Sequence, residues 1–175
     1  MRGVFMKNKK ILWLTTSAMI AAVYLVLTMI FYAISFAPMQ SRLAEALTVL
    51  PYFTPVAIPG LFIGCILANI IGGYGIWDVV IGSLTSLLAA YLTYRLTFNK
   101  PRRKWLAPLP PVLLNAVIVG AELNLLSGSP TWEAFLGIML SVGIGQIIAC
   151  YVIGFPLMLL FERSKKISEL FKRIS

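Results

Sequence analysis

Five ionisable residues stand apart from the rest of the charge in this sequence: Arg42, Glu45, Asp78, Glu122 and Glu133 lie within or beside long apolar runs. An ionisable group at membrane depth is costly unless it is paired, so each of these needs a partner or a ligand. Asn69, Asn115 and Gln146 add amides, and Tyr74, Trp77 and Trp132 add rings. Such groups suit a small planar polar molecule: a carboxylate accepts two adjacent N–H donors, an amide answers a carbonyl edge, and a ring stacks on the face. They do not suit hydrolytic or metal chemistry. The chain has no histidine, which removes the commonest general base and the commonest metal ligand. Cys65 and Cys150 are far apart in apolar runs and form no metal-ligand spacing, so they read as buried small hydrophobes. No G-x-x-x-x-G-K-[ST] phosphate loop occurs, and Gly143-Ile144-Gly145 lacks the strand of a dinucleotide site. No cofactor, metal or enzymatic activity is expected.

Each residue also has a plainer reading. Arg42 and Glu45, three apart, can neutralise one another on a helix. Asp78 opens a helix and would favour its dipole. Glu133 follows Ser129-Pro130, a reasonable N-cap with proline at the first helical position. Asn69 and Gln146 can hydrogen bond between helices, and Tyr74, Trp77 and Trp132 can anchor the interface. Glu122 resists such a reading, because no base lies near it on its own helix. It follows Asn115 by seven residues, about 10 Å along the same helix face.

The elements that position these groups follow from composition. Hydrophobic residues make up 59% of the 175 and charged ones 12%, with a mean hydropathy of +0.89. Soluble domains average about 25% charge, so the chain reads as a single all-α integral membrane domain. Apolar runs predict membrane helices over 11–34, 56–71, 77–96, 106–126 and 132–161. The first is too long for a signal-peptide core and is expected to be retained. Segment 39–50 holds Arg42 and Glu45 and is too short to span about 30 Å.

Basic residues decide what that segment does. Of the 15 Lys and Arg, 14 fall in three clusters, Arg2–Lys10, Arg95–Lys104 and Arg163–Arg173. Basic loops face the cytoplasm, so an even number of crossings must separate the first two clusters. Segment 39–50 supplies the missing one, as a short helix continued by a re-entrant loop buried against its neighbours. Six transmembrane helices with cytoplasmic N- and C-termini result. The net charge of +9 then reads as contact with the inner leaflet of the bilayer and not with nucleic acid. Residues 162–175 carry Ile167, Leu170, Phe171 and Ile174 at helical spacing, an amphipathic tail on that leaflet. The topology gathers the unclustered polar groups on the outer half, as a pocket open to the outside. The first helix carries Ala18, Ala21 and Ala22, small residues that permit close approach of a partner helix.

The run Phe36-Ala37-Pro38-Met39-Gln40, then Arg42 and Glu45 through Pro51, resembles the queuosine-precursor transporter family. So do Thr54-Pro55, Ile58 through Cys65, and Leu106-Ala107-Pro108-Leu109-Pro110-Pro111, with Asn115 and Glu122 after them. The resemblance implies the substrate-capture subunit of an energy-coupling factor transporter in the bacterial cell membrane. Such a subunit takes a 7-deazaguanine derivative from outside and docks through helix-one alanines, here Ala18 and Ala22, onto a transmembrane coupling protein with two ATPases. Two alternatives remain: a stand-alone permease, and a capture subunit for a different vitamin.

Overall fold

The computed structural model describes residues 2–32, 42–73 and 75–174. The expected ligand-stacking Tyr74, and residues 33–41 with the start of the expected second helix, lie outside them. Among the described residues there are helices and no strand. They are α1 (Arg2–Ile30), α2 (Leu43–Tyr52), α3 (Ala57–Gly72), α4 (Asp78–Thr97), α5 (Pro101–Leu126), α6 (Trp132–Arg163) and α7 (Lys165–Ile174).

Four stretches are long and apolar enough to cross a membrane: Lys9–Ile30, Asp78–Thr97, Pro101–Leu126 and Trp132–Arg163. α2 and α3 are shorter apolar helices. Large apolar side chains are exposed along the membrane-length helices. Leu14, Met19, Val26 and Ile30 of α1 and Leu140, Ile144 and Val152 of α6 are exposed, which suits lipid and not water.

A ten-residue helix lies at the centre. α2 packs against α1, α3, α4 and the Ile148–Gly154 segment of α6, and every residue from Ala44 to Tyr52 is buried. Its backbone is 3-10, whereas the sequence predicts an ordinary helix ending before Pro51. Two features favour the tighter winding: Pro51 lacks an N–H, and the Thr48 hydroxyl donates to the Glu45 carbonyl three residues back at 2.6 Å. Such long 3-10 runs are uncommon, and burial on every side sustains this one. After α2, residues 53–56 stay buried or half-buried and satisfy their backbone locally. The Val56 N–H bonds the Thr54 hydroxyl, and the Ala57 N–H bonds the Thr54 carbonyl.

Glycines set the closest packing. A Cβ on Gly64 would lie 2.8 Å from the Tyr24 Cβ, and one on Gly60 2.7 Å from the Ser17 carbonyl. Gly60 and Gly64 therefore let α3 lie flush against α1. Gly154 does the same for α2, where a Cβ would meet the Ala46 carbonyl at 2.8 Å.

Three details depart from the sequence expectation, two of them at helix ends. α5 begins at Pro101, inside the basic cluster and ahead of the start expected at 106, because proline without an N–H starts a helix readily. The N-cap of α6 is Thr131, whose hydroxyl accepts the Ala134 N–H at 3.1 Å, and not Ser129. α7 does not offer its whole apolar stripe to lipid: Phe171 and Ile174 are buried, Ile167 packs against the core, and only Leu170 is exposed.

Candidate functional site

Three membrane helices contain a π-helical turn: Asp78–Gly82 in α4, Asn115–Val119 in α5 and Ile148–Gly154 in α6. Such bulges recur at functional sites, because the extra residue redirects side chains. Asp78 and Asn115 each open one, and the two turns pack together. This local winding aims polar side chains inward from helices that are otherwise apolar.

The buried cluster starts at the beginning of α2. Arg42, Glu45, Asn69, Asp78, Asn115, Glu122 and Gln146 are all buried. Arg42 Nη2 pairs with Asp78 Oδ1 at 3.7 Å, so its ion pair runs across to α4 and not along α2. Glu45 Oε1 instead accepts the Tyr24 hydroxyl at 2.5 Å. Asn69 Nδ2 donates to the Asp78 carbonyl at 2.7 Å, tying α3 to α4. Cys65 Sγ lies among the Ser86 hydroxyl at 3.4 Å, Asn69 Nδ2 at 3.6 Å and Arg42 Nη1 at 3.9 Å. Glu122 is close enough to Asp78 and Arg42 to interact with their charges.

Several of these groups are incompletely paired. Among the described residues, Glu45 Oε2, Asn69 Oδ1, Ser83 Oγ, Asn115 Nδ2 and both carboxylate oxygens of Glu122 are buried without a hydrogen-bond partner. Buried polar atoms almost always have partners, so a concentration of exceptions around one ion pair needs a cause. A cleft of about 300 Å³ reaches the same place, lined by Trp77, Ile81, Glu122, Leu125 and Leu126. Trp77 is 57% exposed and lines the cleft together with Glu122, whose two carboxylate oxygens are buried and unpartnered. A planar ligand with adjacent N–H donors fits such an arrangement.

Other expected site residues lie elsewhere. Trp132 is 71% exposed; its ring lies tilted against that of Phe135 at 5.3 Å and lines a separate depression with Asn124 and Pro130. Glu133 is exposed in the first turn of α6. Gln146 Oε1 accepts from the Cys150 thiol at 3.5 Å, and that thiol also lies 3.5 Å from the Glu45 carbonyl. Gln146 thus sits on the α2–α6 seam. Ala18 and Ala22 are exposed, whereas Ala21 is buried beside Gly64 and is occupied by α3.

The residue that sequence reasoning overlooked is Tyr24. Its signal was present, since Ser17, Tyr24 and Thr28 recur at spacings of seven and four and so share one face of α1. All three are buried. Both cysteines are buried and free, yet they lie among polar donors and not in a purely apolar core. Among the described residues, no three His, Cys, Asp or Glu side chains gather to hold a metal.

Four helices able to cross a bilayer, an apolar exterior and a polar interior define a multi-pass membrane protein. Comparison with known proteins makes this specific. The chain belongs to the QueT transporter family, whose profile matches residues 14–163, in agreement with the resemblance carried by residues 36–122. It is also similar to the queuosine precursor transporter QueT of Lactococcus lactis subsp. cremoris (strain MG1363), 35% identical over 85 residues. That match covers 47% of this chain and 50% of the relative, so the chain spans about half the length of the curated relative it matches. No solved structure matches the chain.

Proposed function

We propose that the chain is a membrane-embedded capture subunit that binds a queuosine precursor of the 7-deazaguanine type for ATP-driven uptake by an energy-coupling factor transporter. The carrying observation is the Glu122 carboxylate, buried with both oxygens unpartnered on a cleft walled by Trp77, in a member of a transporter family. A deazaguanine offers a ring N–H and an exocyclic amine side by side, which one carboxylate accepts together. Glu122 suits this role better than Glu45, because Tyr24 already occupies one Glu45 oxygen. Asn115 Nδ2 and Asn69 Oδ1 are the free amide groups for the remaining edge, and Trp77 would stack on the ring. Arg42 and Asp78 frame the cluster, with Gln146 behind it.

In this reading residues 1–175 form one membrane domain that crosses the plasma membrane six times. α2 and the segment after it make one crossing, and both termini are cytoplasmic. The cleft opens outward, and Ala18 and Ala22 on the exposed face of α1 meet a transmembrane coupling protein that works with two ATPases. Clustering of 14 bases in three segments supports this orientation. The test is mass spectrometry of small molecules retained by the purified chain, followed by co-purification. A 7-deazaguanine, recovered with a larger membrane subunit and two nucleotide-binding proteins, is expected. A vitamin of another class would replace the substrate, and uptake by the isolated chain in liposomes without ATP would indicate a stand-alone permease.

A further inference from the structure

We infer that Tyr24 is a positioning residue for capture: its hydroxyl holds one oxygen of Glu45, so that the other is presented to the ligand as a single fixed acceptor. The inference rests on the capture reading above. Tyr24 is wholly buried and Glu45 is 1% exposed, and the hydroxyl donates to Oε1 at 2.5 Å. Oε2 of the same carboxylate is buried with no hydrogen-bond partner among the described residues. A carboxylate with both oxygens open can rotate and take paired donors. One pinned by a hydroxyl offers a single acceptor of fixed direction.

The position of Tyr24 is itself constrained. α3 approaches α1 so closely at Gly64 that any side chain there would meet the Tyr24 Cβ, and the Thr28 hydroxyl bonds the Tyr24 carbonyl at 2.9 Å. Arg42 lies close enough to Glu45 to feel its charge and pairs with Asp78, so the hydroxyl, the carboxylate and the Arg42–Asp78 pair form one connected group. The two glutamates therefore divide the work: Glu122 takes paired donors and Glu45 takes one. Tyr24 also lies on the face of α1 opposite exposed Ala18 and Ala22, so this one hydrogen bond links the ligand site to that helix.

The test uses the full purified chain with 7-aminomethyl-7-deazaguanine as probe, reading both equilibrium affinity and thermal unfolding without ligand. Tyr24→Phe keeps the ring in the core and removes only the hydroxyl. It is expected to weaken binding about tenfold in the native background and less than about twofold when Glu45 is already alanine. Equal losses in both backgrounds, or a lower melting temperature with unchanged affinity, would overturn the inference and leave Tyr24 a packing residue. If Glu45→Ala does not fold, the infrared carboxyl band that disappears in Glu45→Gln serves instead. That band should shift on probe addition in the native chain by an amount that Tyr24→Phe changes; an identical shift in both overturns the inference. Failure of the native chain to bind the probe would overturn the capture reading, and this inference with it.

Discussion

The two ends of α2 differ in how completely their charges are partnered. At the Tyr52 end, Glu162 has both oxygens taken: one accepts the Tyr52 hydroxyl at 3.0 Å and the other the Lys104 ammonium at 2.9 Å. Phe53 stacks on Phe171 at 5.2 Å beside them, closing α7 over the bundle. At the Arg42 end, about 20 Å away along a ten-residue 3-10 helix, Glu122 has neither oxygen paired. One residue type is thus an anchor in one place and an open acceptor in the other. Burial does not separate them, since the open glutamate is the more buried; completeness of partnering does. A fully satisfied network fixes structure, whereas a partly satisfied one carries an unmet cost that a bound ligand would relieve.

The largest expected effect tests whether the Arg42 end is a single charge network. Arg42→Met leaves the buried Asp78 carboxylate without its cation, which should lower stability by about 3–5 kcal/mol in thermal unfolding. Combining it with Asp78→Asn should recover much of that loss. A harmless Arg42→Met would break the comparison, because the cluster would then not depend on its ion pair.

A smaller effect is expected at the other end. Phe171→Ala removes the ring stacked on Phe53 and should cost about 3 kcal/mol while leaving ligand affinity unchanged. Coupling between this substitution and affinity would mean that the two ends act as one. Smallest of all, Lys104→Met should cost under about 1 kcal/mol, because its ion pair with Glu162 is partly exposed. Added salt should shrink that difference further.

The charges and the apolar runs were the legible part of the molecule. Arg42, Asp78 and Glu122 stood out because an ionisable group in an apolar run is expensive, and the structure brings all three together. Tyr24 stayed hidden because a tyrosine in an apolar helix costs little unless its hydroxyl is orphaned, and its partner Glu45 lies 21 residues away. The 3-10 winding of α2 was illegible for a related reason. Ala44 through Leu50 has ordinary helical propensity, and tertiary packing overrides it. Trp132 and Trp77 both lie near helix starts, a level that sequence indicates well; the direction a side chain takes depends on neighbours that sequence does not display. The amphipathic period of α7 was plain in residues 167–174, but what its apolar face meets depended on Phe53, more than a hundred residues earlier.

On the reading proposed above, the Glu122 carboxylate is left without a partner so that a ligand can take it. The direct measurement is equilibrium binding of 7-aminomethyl-7-deazaguanine to the purified native chain and to Glu122→Gln, with the melting temperature of each taken without ligand. Replacing one carboxylate oxygen by an amide removes the paired acceptor. Affinity should fall at least about tenfold, the cost of an unmatched buried donor, while the melting temperature holds or rises because a buried charge has been removed. Unchanged affinity, with a lowered melting temperature, would contradict the account and make Glu122 a structural residue like Glu162.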